Sequence, residues 1–413
     1  MALRAGATAI AGVGQTEFSK DSGRSELQLA CEAVRAALAD AGLQPHDVDG
    51  LVTMTVDIND ELQLMRSVGI REARWTSRTP FGGGGSKAML QHAAAAVASG
   101  AADVVVCYRA FNERSATRFG QPAVSNPPGP PHPPGPPHPP GSPHPPGPPR
   151  PGPPRPPGWN WYLPFGLDTP AKIYSLWYQR YMTTYGLTNE DFGRYTVVAR
   201  KHAASNPNAW FYKRPITLDD HQNSRWIVEP ILRLLDCCQE SDGGVALVVT
   251  SADRAKSLRQ PLVTLEAATQ GHLGSAGDAT LFNYYGPDLA WFEEAAYAAR
   301  QLYAGTGLVP RDIDVAMIYE NFSPVVFLQL EAFGFCGRGE AKDFIKDGHI
   351  ELGGSLPVNT HGGLLGEAYI HGLNNVIEGV RQVRGTAVNQ VGKAKRILCA
   401  AGHSALILGD GER

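Results

Sequence analysis

Cysteine is sparse and scattered. The six thiols, Cys31, Cys107, Cys237, Cys238, Cys336 and Cys399, never fall in C-x-x-C spacing and sit mostly inside apolar runs. That argues against a disulfide framework and against a zinc cluster, so free thiols are expected. A surplus of charge is missing too. With 37 Lys and Arg against 40 Asp and Glu the formal net charge is −3, and the chain has no general attraction to nucleic acid or to an anionic membrane. Long apolar runs are absent: no window approaches the roughly 20 residues of a membrane span. The apolar start that ends at Gly12-Val13-Gly14-Gln15 is too short for a signal sequence. The expectation is a cytoplasmic protein that binds neither nucleic acid nor membrane. Its length suffices for roughly two to three domains and a large buried core.

What the chain does have is alternation. Residues 7–13 read as a strand, 25–41 as a helix stopped by Gly42-Leu43-Gln44-Pro45, 48–53 as a short strand and 103–108 as a buried strand with the β-branched run Val104-Val105-Val106. Between the last two, Gly82-Gly83-Gly84-Gly85-Ser86-Lys87 opens an alanine-rich helix. Such alternation predicts a covered parallel sheet. A second half repeats the first. Gly307-Leu308-Val309-Pro310 and Asp312-Ile313-Asp314 answer Gly42-Leu43-Gln44-Pro45 and Asp47-Val48-Asp49; Gly362-Gly363 answers Gly82 to Gly85; Ile397-Leu398-Cys399 answers Val105-Val106-Cys107. Two such halves imply an internal pseudo-two-fold, with a cleft where the glycine-rich helix starts meet.

Two regions depart from the alternation. Residues 126–158 repeat Gly-Pro-Pro-His-Pro-Pro, and consecutive prolines forbid both helix and ladder bonding, so a polyproline-like surface spacer is expected there. Glycine is not at every third position, which excludes collagen, and no fold holds His132, His138 and His144 together as a metal site. Residues 159–185 are rich in aromatics, and a helix over 170–185 carrying Tyr174, Trp177, Tyr178 and Tyr181 needs cover on more than one side.

Residues 356–372 hold four glycines, two histidines and a tyrosine. Little apolar surface and a loose backbone predict an exposed loop, not a core element. The loop leads into a helix over 372–385 with apolar Leu373, Val376, Ile377, Val380 and Val383. A helix start there favours developing negative charge. By itself such a loop is more often a turn than a site.

Several motifs together resemble the thiolase superfamily, in its lipid-transfer-protein branch. They are the glycine run and Ser86 before an alanine-rich helix, Ser241-Asp242-Gly243-Gly244 before a strand, Tyr319-Glu320-Asn321-Phe322 after one, and Asn359-x-x-Gly362-Gly363. The resemblance spans almost the whole chain apart from the proline insert. It implies an α/β protein with a duplicated five-layer αβαβα fold and an inserted loop domain. Residues 1–108 and 231–256 would form the N-terminal half, 109–230 the loop and insertion region, and 257–413 the C-terminal half.

The departures from the family carry the chemistry. Gly82 stands where the family has its nucleophilic cysteine, the two family histidines fall on Tyr369 and Tyr319, and Cys399 answers the C-terminal cysteine. No acyl-enzyme can form at Gly82. A β-hydroxyacyl thioester, however, already carries oxygen on a tetrahedral carbon. Removing the hydroxyl proton breaks the C–C bond to a ketone and a thioester enolate, so oxyanion donors, an acid and a base suffice. Members of this branch in bacterial sterol degradation split a 17-hydroxy steroid with a three-carbon CoA-thioester side chain into a 17-ketosteroid and propionyl-CoA. The resemblance implies that reaction, a homodimer, and a small OB-fold partner with a zinc ribbon. No cofactor is implied in this chain, and any zinc belongs to the partner.

The site expected from this reading has Tyr319 and Tyr369 jointly moving the protons. His371, His361 or His403 would lower the pKa of the phenol acting as base. Glu320 would orient its loop, and the amides of Gly82, Gly83 and Gly402 would form the oxyanion hole. Cys399 would pack, or, in an alternative, act as sole nucleophile of a thiolase or acyltransferase. A second alternative is a catalytically silent subunit that binds acyl-CoA for a partner enzyme.

Overall fold

The computed structural model describes residues 5–80, 82–116, 118, 120–121, 162–274, 288–392 and 394–411. The proline-rich stretch 126–158 lies outside the described residues. The strands of the first half are β1 (Thr8–Gln15), β2 (Gly50–Met54), β3 (Trp75–Thr79) and β4 (Val104–Asn112). A two-stranded hairpin of β5 (Trp226–Val228) and β6 (Leu232–Arg233) precedes β7 (Asp242–Ser251). The second half contributes β8 (Thr264–Gln270), β9 (Val315–Ile318), β10 (Arg396–Ala400) and β11 (Ser404–Gly409). Among the described residues these strands form one nine-stranded sheet in the order β3-β2-β4-β7-β1-β8-β11-β10-β9. The halves join where Thr8 and Ala9 pair with Leu265 and Thr264.

The sheet is mixed, not parallel as the alternation predicts. Parallel pairing holds for β3-β2-β4 and β10-β9. β7 runs antiparallel to both β4 and β1, and β11 to both β10 and β8. Only Ala401, Gly402 and His403 separate β10 from β11, and so short a link permits only a hairpin.

Three apolar clusters define the layers. Helix α1 (Glu26–Ala41), capped by Ser25 accepting the Gln28 N–H and stopped by Gly42 at φ 76°, covers the outer face of the first half through Leu29, Val34 and Leu38 against Leu51, Val106 and Val248. Between the two half-sheets lie the helices Ala88–Ala98 and Leu373–Arg384, with Met89, Leu90, Val376 and Ile377 packed on Val105, Val249, Met317 and Ile397. Helices Glu293–Thr306 and Pro324–Ala332 cover the outer face of the second half. Strand β10 shows the division: Leu398 and Ala400 join the outer cluster, Ile397 and Cys399 the central one. Helix, sheet, helix, sheet, helix make five layers.

The repeated motif does the same work twice. Asp47 accepts the Gln44 N–H at 2.8 Å and Asp312 the Val309 N–H at 2.9 Å, closing a matching turn in each half. Asp49 then accepts from the Val104 N–H, and Asp314 from the Arg396 N–H, both at 2.8 Å, so each aspartate pins the start of a neighbouring strand.

One expectation is corrected. The stretch expected as an exposed loop is buried from Leu356 through to Val380. Glycine there permits close approach: a Cβ on Gly362 or Gly366 would stand 2.5 or 2.6 Å from the Cβ of Ala203 in helix Asn189–Ser205. Within this chain the aromatic helix Pro170–Tyr185 buries Trp177, Tyr178 and Tyr181 and leaves Leu176 50% exposed. All six cysteines are free. No helix among the described residues is long and apolar enough to cross a membrane.

Candidate active site

Tyr319 is the first residue beyond β9, held by its N–H donating to Ala400 O at 2.8 Å. Tyr369 comes from the buried glycine-rich stretch, and its N–H donates to Gln239 O at 3.1 Å. The two elements bring the phenols together, hydroxyl to hydroxyl, at 2.7 Å. They are 8% and 7% exposed. Burial pushes both well above the usual phenol range, Tyr319 further because of Tyr369 and Tyr369 further because of Cys238 and Glu113. Both therefore stay neutral and keep their protons.

The glycine run makes room for this pair. A Cβ on Gly83 would lie 2.0 Å from Tyr319 Cε2 and 2.4 Å from its hydroxyl, and one on Gly84 would lie 2.4 Å from His403 Cε1. Real Cβ contacts are not that short, so the phenol occupies space that a side chain on the loop would claim. Gly82 is different: its Cβ would meet the His371 ring at ordinary contact distances, nearest at Nε2, 3.4 Å away.

His371 is gripped on three sides. Arg109 Nε–H donates to its Nδ1 at 3.0 Å, Phe111 stacks on its ring at 5.0 Å, and Tyr369 meets it edge-on at 5.2 Å. These contacts hold it at φ 49°, a conformation that costs a non-glycine residue about 1 kcal/mol or more. Because arginine only donates, the imidazole proton sits on Nε2, the nitrogen facing Gly82. Burial, then the Arg109 charge, drive the pKa of His371 well below its usual value. Burial likewise lowers His361 and His403 to about 3. All three imidazoles are neutral, so none supplies the positive charge expected to lower a phenol's pKa.

Glu320 is fully buried; its Oε1 accepts the Leu364 N–H at 2.7 Å and the Tyr195 hydroxyl at 3.0 Å. A Cβ on Gly363 would stand 1.8 Å from that oxygen, so the glycine lets the carboxyl cap the turn Gly363–Gly366. Burial raises its pKa to about 8. Gly402 falls away as an oxyanion donor, and Cys399 packs. The Gly402 N–H already donates to Gln329 Oε1 at 3.0 Å and is not open to an oxyanion. Cys399 points into the central layer, 4.0 Å from Asn375 O, and burial raises its thiol to about 12, so it holds no thiolate.

Three groups escape a reading of the sequence. Lys87 is fully buried; its Nζ donates to Ser86 Oγ at 3.0 Å and, across the pseudo-two-fold, to Gly372 O at 2.5 Å. Burial lowers its pKa to about 8. Arg109 makes a buried ion pair with Asp57 at 2.8 Å. The third, Glu113, lines a cleft of about 400 Å³ together with Tyr369, Cys238 and Asn321, within the range of ligand sites. Only Arg109 had a signal, a charge inside the apolar run Val104 to Phe111. Among the described residues no cluster of three or more His, Cys, Asp or Glu is arranged to hold a metal.

Residues 282–406 match the family described as Thiolase C-terminal domain-like. The chain is 54% identical over 413 residues, covering 99% of both chains, to the steroid side-chain-cleaving aldolase of Thermomonospora curvata. It is 52% identical over 411 residues, 98% of this chain and 100% of the relative, to the 17-hydroxy-3-oxo-4-pregnene-20-carboxyl-CoA lyase of Mycobacterium tuberculosis. A solved structure, the Ltp2-ChsH2(DUF35) aldolase, superposes along the whole of both chains with TM-score 0.88 at 53% identity. Likeness of this extent settles the kinship: the chain belongs to the thiolase superfamily, among its steroid side-chain-cleaving aldolases.

Proposed function

We propose that the chain cleaves a 17-hydroxy steroid bearing a CoA-thioester side chain by a retro-aldol reaction, releasing the 17-ketosteroid and propionyl-CoA. The observation that carries this reading is the 2.7 Å bond between the Tyr319 and Tyr369 hydroxyls, beside a cleft and opposite a glycine where a nucleophile would stand. The two curated relatives carry matching names, an aldolase that cleaves steroid side chains and a lyase of a 20-carboxyl-CoA. In such a substrate C20 is the carbon alpha to the thioester and C17 bears the hydroxyl. Breaking C17–C20 therefore leaves a three-carbon thioester enolate.

Two neutral phenols in contact form a relay. The hydroxyl proton passes to one phenol oxygen as that phenol passes its own proton to the other, and the second phenol protonates the enolate carbon. No phenolate and no cofactor is needed, which suits phenols kept neutral by burial. The amides of Gly82 and Gly83 and the Nε2–H of His371 are the donors we assign to the thioester oxygen, where charge develops as the bond breaks. Lys20, Arg114, Arg118 and Arg225 line the cleft and supply positive charge for CoA phosphates. Cys399, buried and protonated, offers no support for a thiolase or acyltransferase.

The solved relative is named with a DUF35 partner, and we assign to this chain an OB-fold, zinc-ribbon partner at the cleft. A homodimer is the proposed core, with β3 as an edge strand of the sheet among the described residues and Ile58 and Leu62 exposed near it. The proposed location is the cytoplasm, where CoA thioesters are made and used. The test is incubation with a 17-hydroxy steroid carboxyl-CoA, with and without the partner. Propionyl-CoA and 17-ketosteroid in equal amounts are expected, and bound but uncleaved substrate in the presence of the partner would mark a silent subunit.

A further inference from the structure

The cleft holds an acid that the relay does not use. Glu113 directly follows β4, whose Asn112 pairs with Asp242. Next to that pairing, Gln239 O and Ser241 Oγ accept the Tyr369 N–H at 3.1 and 3.3 Å, so Glu113 and Tyr369 come to line one cavity. The Glu113 side chain is 2% exposed, and its Oε2 has no hydrogen-bond partner among the described residues. The charged groups around it are engaged elsewhere. Glu240 accepts from Arg118 Nε at 2.7 Å, Lys20 donates to Gln239 Oε1 at 3.1 Å, and Arg109 pairs with Asp57. A buried carboxyl oxygen left unbonded is costly unless something enters the site to meet it. Burial, reinforced by Glu240, holds this carboxyl well above the usual carboxylate range, which favours its protonated form.

We propose that Glu113 is a catalytic acid of the cleavage, giving its proton to the alpha carbon of the departing thioester enolate. The proposal rests on the retro-aldol reading and replaces one step of it: the phenols serve the hydroxyl end of the reaction, and the carboxyl, in place of the second phenol, protonates the enolate carbon. The step balances. The electron pair of the breaking C–C bond becomes the enolate and then the new C–H bond, taking the Glu113 proton. The hydroxyl O–H bond breaks, and its electrons form the ketone C=O. That proton passes to Tyr319, the Tyr319 proton to Tyr369, and the Tyr369 proton to the Glu113 carboxylate. Each group ends as it began, and one hydrogen has moved from oxygen to carbon. A carboxyl does this better than a buried phenol, whose pKa lies far above the working pH.

The test uses the enolate half alone, because an acid in one direction is the base in the other. Propionyl-CoA is incubated in D2O with the full chain and its OB-fold partner, without steroid, and deuterium at C2 is read by mass spectrometry. The parent is expected to incorporate deuterium. Glu113→Gln is expected to do so at least about 100-fold more slowly, with an unchanged melting curve. Glu113→Asp keeps a carboxyl and is expected to exchange about 10-fold more slowly than the parent; should the Gln variant fail to fold, parent-rate exchange by the Asp variant overturns the proposal. It is also overturned by parent-rate exchange in Glu113→Gln, or by no exchange in the parent. Loss of exchange in Glu113→Gln, beside parent-rate cleavage in Tyr319→Phe and Tyr369→Phe, would instead sink the phenol relay and leave Glu113 standing.

Discussion

The two halves of the fold bring opposite things to the site. The first-half loop, Gly82 to Gly85, contributes no side chain at all, only volume and backbone amides. The second half contributes Tyr319, Tyr369 and His371. Where their backbones meet, the phenol ring of one half fills the space vacated by the other, with Tyr319 lying where a Gly83 side chain would stand. Lys87, reaching 285 residues along the chain to Gly372 O, ties the two loops together. A duplicated fold can thus divide its labour. The absence of a side chain at Gly83 in one half leaves the room that the Tyr319 ring of the other half occupies.

Taking away the second half's contribution should cost most. Tyr319→Phe and Tyr369→Phe each remove a relay hydroxyl while keeping the ring. We expect cleavage to fall by about 10²–10³-fold at nearly constant substrate affinity, read as kcat against KM in steroid acyl-CoA turnover. Filling the first half's space comes next. Gly83→Ala places a Cβ against the Tyr319 ring and should cost about 100-fold by displacing the phenol, whereas Gly82→Ala, with its Cβ at 3.4 Å from His371 Nε2, should cost only a few-fold. Parent activity in Gly83→Ala would break the division of labour.

Cutting the tie between the loops should have a smaller effect. Lys87→Met loses both hydrogen bonds and is expected to slow cleavage about 10-fold through looser positioning. It also has a signature in stability. The pKa of Lys87 is lowered by burial from 10.5 to about 8 in the folded chain, so between those values the unfolded chain binds a proton that the folded chain does not. The parent should therefore gain stability as pH rises through that window, and the variant should lose that part of the gain. Urea denaturation of the two proteins across the window reads the difference. Least of all should follow from Cys399→Ala: cleavage within about two-fold of the parent, and a stability loss of about 1–2 kcal/mol from the cavity left in the central layer.

Much of this division was legible in the residues. The helix Leu373–Arg384 followed from its apolar spacing, the paired turns from the repeated Gly-Leu-x-Pro and its aspartates, and the position of Tyr319 from the strand ahead of it. What stayed hidden depends on close approach between distant segments. Glycine adds no apolar surface, so residues 356–372 read as exposed, yet that same lack of bulk lets Ala203 and Glu320 pack against them. Lys87 follows a serine at a helix start, where lysine is ordinarily solvated, and only the meeting of the two halves buries it. Glu113 and the mixed pairing of β7 depend on a strand reached after a long excursion, which no local pattern reports.

Cleavage by the proposed relay breaks a C–C bond on this thiolase fold without ever holding the acyl group covalently. Intact-protein mass spectrometry of the parent chain, quenched at successive times during turnover of the steroid acyl-CoA, tests it most directly. The unmodified chain mass is expected at every time while propionyl-CoA accumulates. A transient chain mass raised by an acyl group, on Cys399 or any other cysteine, would contradict it.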